Sequence, residues 1–267
     1  MAHEIEVKVR VADLEGFRAA LRRVGARLVG GGTGRVHEWN TLYDTVAEDL
    51  RGRDELLRIR VETRTGRDGR RLKRAERRVI LTFKRPVEEG GRGGRPVVAR
   101  GLNRPTNSAT GAETRGHPTR EVGPSADKVD RLGDDHSDPL RRHKVREEIE
   151  TEVRDARELR RILAGLGMRE SFHYEKYRTT FRMPGSQRWA ARLLIELDET
   201  PIGTFVELEG PAKAIDRAAR ALGFSKNEYI VANYLRLYAE ECMRRGEKIG
   251  EMVFRNGKRC RDDVSSW

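Results

Sequence analysis

The segment Glu4-Ile5-Glu6-Val7-Lys8-Val9-Arg10 sets two carboxylates, an ammonium and a guanidinium on one face of a period-two pattern, with Ile5, Val7, Val9 and Val11 on the other. Carboxylate oxygens are the ligands that hard divalent cations prefer. Lys and Arg donate to phosphoryl oxygens, the Arg fork bidentately. One such stripe is ordinarily a solvated strand face, but here it recurs. Arg58 and Arg60 alternate with Leu57, Ile59 and Val61, and Thr82 and Lys84 with Leu81 and Phe83. Arg146, Glu148 and Glu150 alternate with Val145, Ile149 and Thr151; Glu196 and Asp198 with Ile195 and Leu197; Glu207 and Glu209 with Val206 and Leu208. Lys176 and Arg178 form a further pair on one face.

If the apolar faces are buried under helices, the charged faces lie together on the opposite side of the sheet, and closure of the sheet makes that side an interior. Desolvating a lone ion costs roughly several kcal/mol, so such a lining requires acids and bases that compensate one another or ligands of opposite sign. A triphosphate bound with divalent cations satisfies both. The carboxylates repel a bare triphosphate, which makes the metal obligatory in this reading.

The elements that must position these residues follow from the same periodicity. Strands are expected near 3–11, 36–43, 55–62, 79–85, 145–153, 172–182, 191–198 and 203–210, a number suited to a closed barrel. Helical patterns follow Asp13 and Asp155, each an N-cap type, with Gly25 and Gly167 closing them. Further helices are expected at about 211–222, opened by Pro211, and at 226–245. Strand, Asp-capped helix, glycine and three strands occur in that order twice, starting at Glu4-Ile5-Glu6 and at Glu148-Ile149-Glu150, which reads as an internal duplication. Its halves face each other across one cavity.

Residues 86–142 carry no apolar periodicity from Val98 to Leu140 and read as a low-complexity insertion between the halves. Arg64 to Arg78 reads as a hairpin with a long charged tip, given the turn chemistry of Thr65-Gly66-Arg67-Asp68-Gly69-Arg70. The expected organisation is a single domain over 1–238, interrupted by 86–142, then a helix end and a disordered tail over 239–267. With 37% charged residues and a formal charge of +12, the chain favours an anionic partner. Cys242 and Cys260 have no C-x-x-C partner, so neither a disulfide framework nor a zinc site is expected. No apolar run approaches the roughly 18 to 20 residues that span a bilayer, and Met1-Ala2-His3-Glu4 lacks signal-peptide regions, so a soluble cytoplasmic protein is expected.

The ordered set of motifs resembles the CYTH family of triphosphate tunnel enzymes, which includes class IV adenylate cyclases, thiamine triphosphatases and inorganic triphosphatases. The family's E-x-E-x-K reads Glu4-Ile5-Glu6-Val7-Lys8, its R-x-R reads Arg58-Ile59-Arg60, and its L-T-x-K strand reads Leu81-Thr82-Phe83-Lys84. Arg146-Glu147-Glu148-Ile149-Glu150, Glu175-Lys176-Tyr177-Arg178, Leu197-Asp198-Glu199 and Phe205-Val206-Glu207-Leu208-Glu209 continue the match, which runs from about residue 2 to 238. The resemblance implies an α+β fold, an eight-stranded antiparallel β-barrel forming a triphosphate tunnel with flanking helices. It implies Mg²⁺ or Mn²⁺ held by Glu4, Glu6, Glu207 and Glu209, with Asp198, Glu148 and Glu150 as further acidic candidates. Lys8, Arg58, Arg60, Lys84, Lys176 and Arg178 would bind the triphosphate. One departure stands near the end, where Val231-Ala232-Asn233-Tyr234 replaces a basic residue before Ser-Tyr.

Two reactions suit this constellation: attack of the ribose 3′-hydroxyl of ATP on the α-phosphorus, giving cyclic AMP and pyrophosphate, or attack of water on a terminal phosphorus. In either, Lys8 would stabilise oxygens of the leaving group and Glu148 or Glu150 would orient the nucleophile. The wording of the chain, including Glu196-Leu197-Asp198-Glu199-Thr200-Pro201-Ile202-Gly203, leans to the class IV cyclase, with inorganic triphosphate or thiamine triphosphate hydrolysis as the alternative. A non-catalytic binder of polyphosphate or RNA is a third reading, motivated by Arg70-Arg71-Leu72-Lys73-Arg74 with Arg77-Arg78, although no aromatic platform accompanies that stretch. Oligomeric state is open, a homodimer included. His37 and His173 read as structural, Trp39, Tyr43, Tyr174 and Tyr177 as core rather than ring-binding groups, and Gly30 to Gly34 as a turn without the P-loop ending.

Overall fold

The computed structural model describes residues 3–30, 34–65, 77–87 and 143–254. In chain order these form β1 (His3–Arg10), α1 (Leu14–Val24), β2 (Arg27–Leu28), β3 (Arg35–Asp44), α2 (Asp49–Gly52), β4 (Leu56–Arg64) and β5 (Arg77–Pro86). There follow β6 (Lys144–Val153), α3 (Ala156–Gly165), β7 (Arg169–Arg182), β8 (Leu194–Thr200), β9 (Gly203–Glu209), α4 (Ala212–Leu222) and α5 (Tyr234–Arg245). All eight expected strands are present. The two-residue β2, too short for any period, pairs with the end of β7.

The ladder β7-β3-β4-β5-β6-β1-β9-β8 is antiparallel throughout and closes by β7–β8 pairing, giving an eight-stranded barrel without free edges. Exchanging the halves, β1 for β6, β3 for β7, β4 for β8 and β5 for β9, reproduces this ring order in reverse. That is the relation expected of a two-fold duplication. β3 pairs with β7 and β1 with β6 along the pseudo-axis, so each half completes the other's sheet.

Alternation sorts the side chains. Val7, Val9, Ile195, Leu197, Val206 and Leu208 point outward and are buried with α1 and α4 through Phe17, Leu21, Ile215 and Leu222. Ile59 and Tyr43 pack outward against Leu159 and Leu163 of α3. The inward faces of β7 and β9 carry Phe172, Tyr174 and Phe205, and α5 buries Tyr234, Leu237, Tyr238 and Cys242 against them, so this helix covers one end of the interior. Helix α5 begins at Tyr234 rather than at 226, because Asn233 accepts the Arg236 backbone N–H; Lys226–Glu228 is a separate 3₁₀ turn with its own Ser225–Glu228 capping box. Beyond α5, the Met252 N–H donates to the His173 carbonyl and the Glu175 N–H to the Met252 carbonyl, so the chain through Phe254 packs on β7. The insertion over 86–142, the hairpin tip and the tail from Arg255 lie outside the described residues, apart from Pro86 and Val87. No helix among the described residues is long and apolar enough to cross a membrane.

Asp13 and Asp155 cap their helices as expected, Asp155 accepting from the N–H groups of both Arg157 and Glu158. Gly25 caps α1 at φ 72 with the Pro184 ring 3.1 Å from where a Cβ would stand, whereas α3 is capped by Leu166, with Gly167 one residue beyond at φ 80. Asp155→Ala is expected to cost about 1 kcal/mol, which lowers Tm by roughly 2–4 °C for a chain of this size. A thermal melt followed by far-UV circular dichroism measures it, and an unchanged Tm refutes the cap's contribution.

Candidate functional site

The inward stripes meet in one ion network. Lys8 Nζ lies 2.8 Å from Glu207 and 4.4 Å from the centroid of the Tyr234 ring. Lys176 Nζ lies 2.6 Å from Asp198 and 3.9 Å from Glu207, and Arg178 pairs with Glu196, Asp198 and Glu207 at once. On the other wall, Arg58 donates to the Tyr174 hydroxyl at 3.3 Å and the Thr82 hydroxyl at 3.2 Å, and both Arg58 and Arg60 reach Glu150 at about 3.5 and 3.4 Å. Lys84 lies 2.6 Å from Glu4 and 3.1 Å from Glu148. Every sequence-predicted phosphate ligand therefore faces the interior, brought there by alternation on β1, β4, β5 and β7. Exposure falls along it. The Glu150 and Glu148 side chains are 38% and 19% exposed, those of Lys8 and Lys176 4% and 3%, and Asp198 is fully buried.

The acidic residues divide into two groups. Glu207 lies well below the usual carboxylate range, because Lys8, Lys176 and Arg178 overcome the burial that opposes its ionisation. Glu6 is likewise held low by Lys144, Lys8 and Lys84. Glu209, in contrast, is pushed up to about 8 by burial and by the neighbouring Glu196 and Glu4. Glu148 rises to about 7 through burial, with Glu4 and Glu150 adding to it, and Glu196 to about 7 through burial, Asp198 and Glu207. Glu6 stands directly opposite Glu209 across the β1–β9 ladder, and Glu196 opposite Glu207 across β8–β9. Opposed like charges destabilise a sheet, and a divalent cation between them removes the repulsion. The donor set at Glu4, Glu6, Glu207 and Glu209, all carboxylate, therefore suits a hard cation. Among the described residues no three candidate ligands already stand at metal-binding distances, since Glu4, Glu6 and Glu207 are turned onto lysines. Asp198 is engaged by Lys176, Arg178 and the Tyr234 hydroxyl.

Three interior groups went unassigned by sequence pattern. Glu38 lies 3.6 to 3.7 Å from Lys176, Arg60 and Arg178. Lys144 meets Glu6 at 2.9 Å. Tyr234 donates to Asp198 from α5. A signal existed for the first: Glu38 and Asn40 alternate with Trp39 and Thr41 as on the other strands. The residues at β3 are polar on both faces, however, so no apolar stripe marks which one is inside. His37 and His173 sit on the outer face and pair with Glu175 and Glu170, in agreement with a structural role. Trp39, Tyr43 and Tyr177 also face outward, while Tyr174 is inside and packed under α5.

A family model described as the CYTH domain matches residues 2–230. A search of the curated proteins finds no match. Among solved structures, the PH1819 protein of Pyrococcus horikoshii OT3 superposes with TM-score 0.53 at 19% identity, covering 89% of this chain and 99% of that one. A conserved hypothetical protein of Pyrococcus furiosus gives 0.50 at 17% over 88% and 99%. A Vibrio parahaemolyticus protein named as a candidate adenylate cyclase gives 0.51 at 14% over 86% and 94%. At these identities the likeness is one of fold.

Proposed function

Because the chain belongs to the CYTH domain family, we propose that it is a divalent-metal-dependent enzyme that cleaves a phosphoanhydride bond of a triphosphate, with a linear triphosphate hydrolysed at its terminal phosphorus as the best-suited reaction. Members of the family bind triphosphate substrates and generally depend on divalent metal. The observation that carries the reading is the lining of the interior: Lys8, Lys176, Arg178, Arg58 and Arg60 are gathered at its buried depth, and the carboxylates Glu4, Glu6, Glu148 and Glu209 face the same space. A metal-bound polyanion satisfies both at once.

Glu4, Glu6, Glu207 and Glu209 would hold the metal, which supplies charge neutralisation on the phosphoryl oxygens. Lys8, Lys176, Arg178, Arg58, Arg60 and Lys84 bind and orient the chain of phosphates. α5 covers one end, so the substrate enters from the acidic end and its terminal phosphoryl lies deepest, beside Lys8 and Lys176. Hydrolysis is favoured over cyclisation by the aromatic residues. The inward-facing rings Phe172, Tyr174, Phe205 and Tyr234 are buried and packed against one another under α5, so none of these four is open for an adenine or thiazole to stack on.

ATP cyclisation is the second reading, and Glu148 favours it. Its carboxyl, pushed up to about 7 at the more exposed end, is matched to take the proton of a ribose 3′-hydroxyl there, with Glu150 beside it. Incubating purified protein with tripolyphosphate, ATP or thiamine triphosphate, each with Mg²⁺ or Mn²⁺, separates the readings. Orthophosphate released from tripolyphosphate faster than from the other two, without cyclic AMP, is the expected result. Cyclic AMP with pyrophosphate and no orthophosphate makes it a cyclase instead. No product from any substrate, together with an RNA gel shift that persists at rising salt, leaves the binding protein.

A further inference from the structure

Seven buried side-chain nitrogen or oxygen atoms among the described residues lack a hydrogen-bond partner, and five belong to one patch of the β3–β4 wall: Glu38 Oε2, both amide atoms of Asn40, and the Nε atoms of Arg58 and Arg60. Glu38 is 1% and Asn40 0% exposed. Asn40 lies opposite Arg60 on one side and Tyr174 on the other, and shares its strand face with Glu38, so its amide points into the interior. Buried polar atoms are overwhelmingly paired, and a cluster of unpaired ones marks the place of an absent partner. The missing partner must both accept and donate. Asn40 Nδ2 and the two Nε–H groups seek acceptors, whereas Glu38 Oε2 and Asn40 Oδ1 seek donors.

A terminal phosphoryl group with a water beside it has that composition. We propose that Glu38 and Asn40 are catalytic residues of the triphosphate hydrolysis: Asn40 Nδ2 donates to a terminal phosphoryl oxygen, and Glu38 Oε2 and Asn40 Oδ1 accept from the attacking water and aim it. This rests on the hydrolase reading above and locates its reacting end. Lys176, Arg60 and Arg178 surround Glu38 and hold it well below the usual carboxylate range, so it orients the water without keeping a proton. In the step, the water oxygen bonds to the terminal phosphorus and the bridging P–O bond breaks, its electron pair leaving on diphosphate. Both hydrogens of the water depart on the orthophosphate.

The test compares Asn40→Leu and Asn40→Ser with the full-length wild type, using tripolyphosphate and Mg²⁺. Asn40→Leu is expected to lower kcat about 100-fold, the loss typical of one transition-state donor, while KM stays within about threefold. Its Tm rises by a few degrees, about what removing one unpaired buried amide allows. Asn40→Ser, which keeps a donor and an acceptor, recovers part of the rate. A purely structural Asn40 gives the opposite result, with leucine lowering Tm and neither substitution changing kcat. Asn40→Leu with kcat within about threefold of wild type overturns the assignment. The wild-type control reports separately: absence of phosphate release there overturns the hydrolase reading, and this assignment with it.

Discussion

Lys8→Ala is expected to lower kcat for triphosphate cleavage by about three orders of magnitude, the largest loss of any single substitution in the interior. Positively charged groups aimed at a transferring phosphoryl contribute about 10³ to 10⁵ in rate, and single hydrogen-bond donors about 10² to 10³. Lys8 combines both roles. Glu207 and Glu6 hold its proton against burial, so it is charged at any working pH. It touches Glu207 and the Tyr234 ring, which fix its position without solvent to screen it. The loss falls mainly on kcat, because Lys176, Arg178 and the β4 arginines still bind the substrate. Glu207 keeps Arg178 and Lys176 as partners, so the fold survives with a lower Tm. Phosphate-release kinetics beside a thermal melt distinguish the two effects. A folded Lys8→Ala retaining more than about a tenth of wild-type kcat, where about a thousandth is expected, refutes the contact with the reacting phosphate.

The barrel was legible because its strands are amphipathic in an unusual sense. In the middle of β1, β4, β8 and β9 the outward residues are apolar (Ile5, Val7 and Val9; Leu57, Ile59 and Val61; Ile195 and Leu197; Val206 and Leu208) and the inward ones charged, so period two is unmistakable there and the strand positions follow. Boundaries shifted where backbone rather than pattern decides: β8 starts at Leu194, after the 3₁₀ turn Arg188–Ala190 that precedes it. β3 was the weak point for the site. Its outward face holds Arg35, His37 and Thr41, satisfied by Glu199, Glu175 and His173, so it is as polar as the inward face of Glu38 and Asn40. A pattern of contrast carries no information where there is no contrast.

α5 shows a different limit. Nothing in Tyr234-Leu235-Arg236-Leu237-Tyr238 says that its apolar stripe enters the end of a barrel rather than covering its flank, as α1, α3 and α4 do. Only the inward Phe172, Tyr174 and Phe205 make that packing favourable, and each reads alone as an ordinary strand aromatic. In Val231-Ala232-Asn233-Tyr234, where the basic residue before Ser-Tyr is missing, Tyr234 supplies a hydroxyl to Asp198 and a ring face to Lys8 and Lys176.

Magnesium affinity is expected to rise about 100-fold between pH 6 and 8, and the stability of the metal-free protein to fall over the same interval. Glu209 at about 8, with Glu148 and Glu196 at about 7, hold protons that the same carboxyls release near 4.5 when the chain is unfolded. The folded state then binds more protons than the unfolded one from roughly pH 4.5 to 8, and the linkage slope is negative there, so raising pH destabilises the metal-free fold. A cation at Glu209 must displace its proton, which makes affinity climb about tenfold per unit while one proton is released and level off above about pH 8. Metal and stability are thereby coupled in opposite senses: the Tm gain on adding Mg²⁺ widens as pH rises, by mass action on a tighter site. Glu209→Gln imitates the protonated carboxyl. It is expected to bind Mg²⁺ at all pH values about as weakly as wild type does at pH 6, and to lose less stability between pH 6 and 8. Calorimetric Mg²⁺ titrations at pH 6, 7 and 8, each with a melt of metal-free and loaded protein, measure both arms. Wild-type affinity that stays flat across that range removes Glu209 from the metal site.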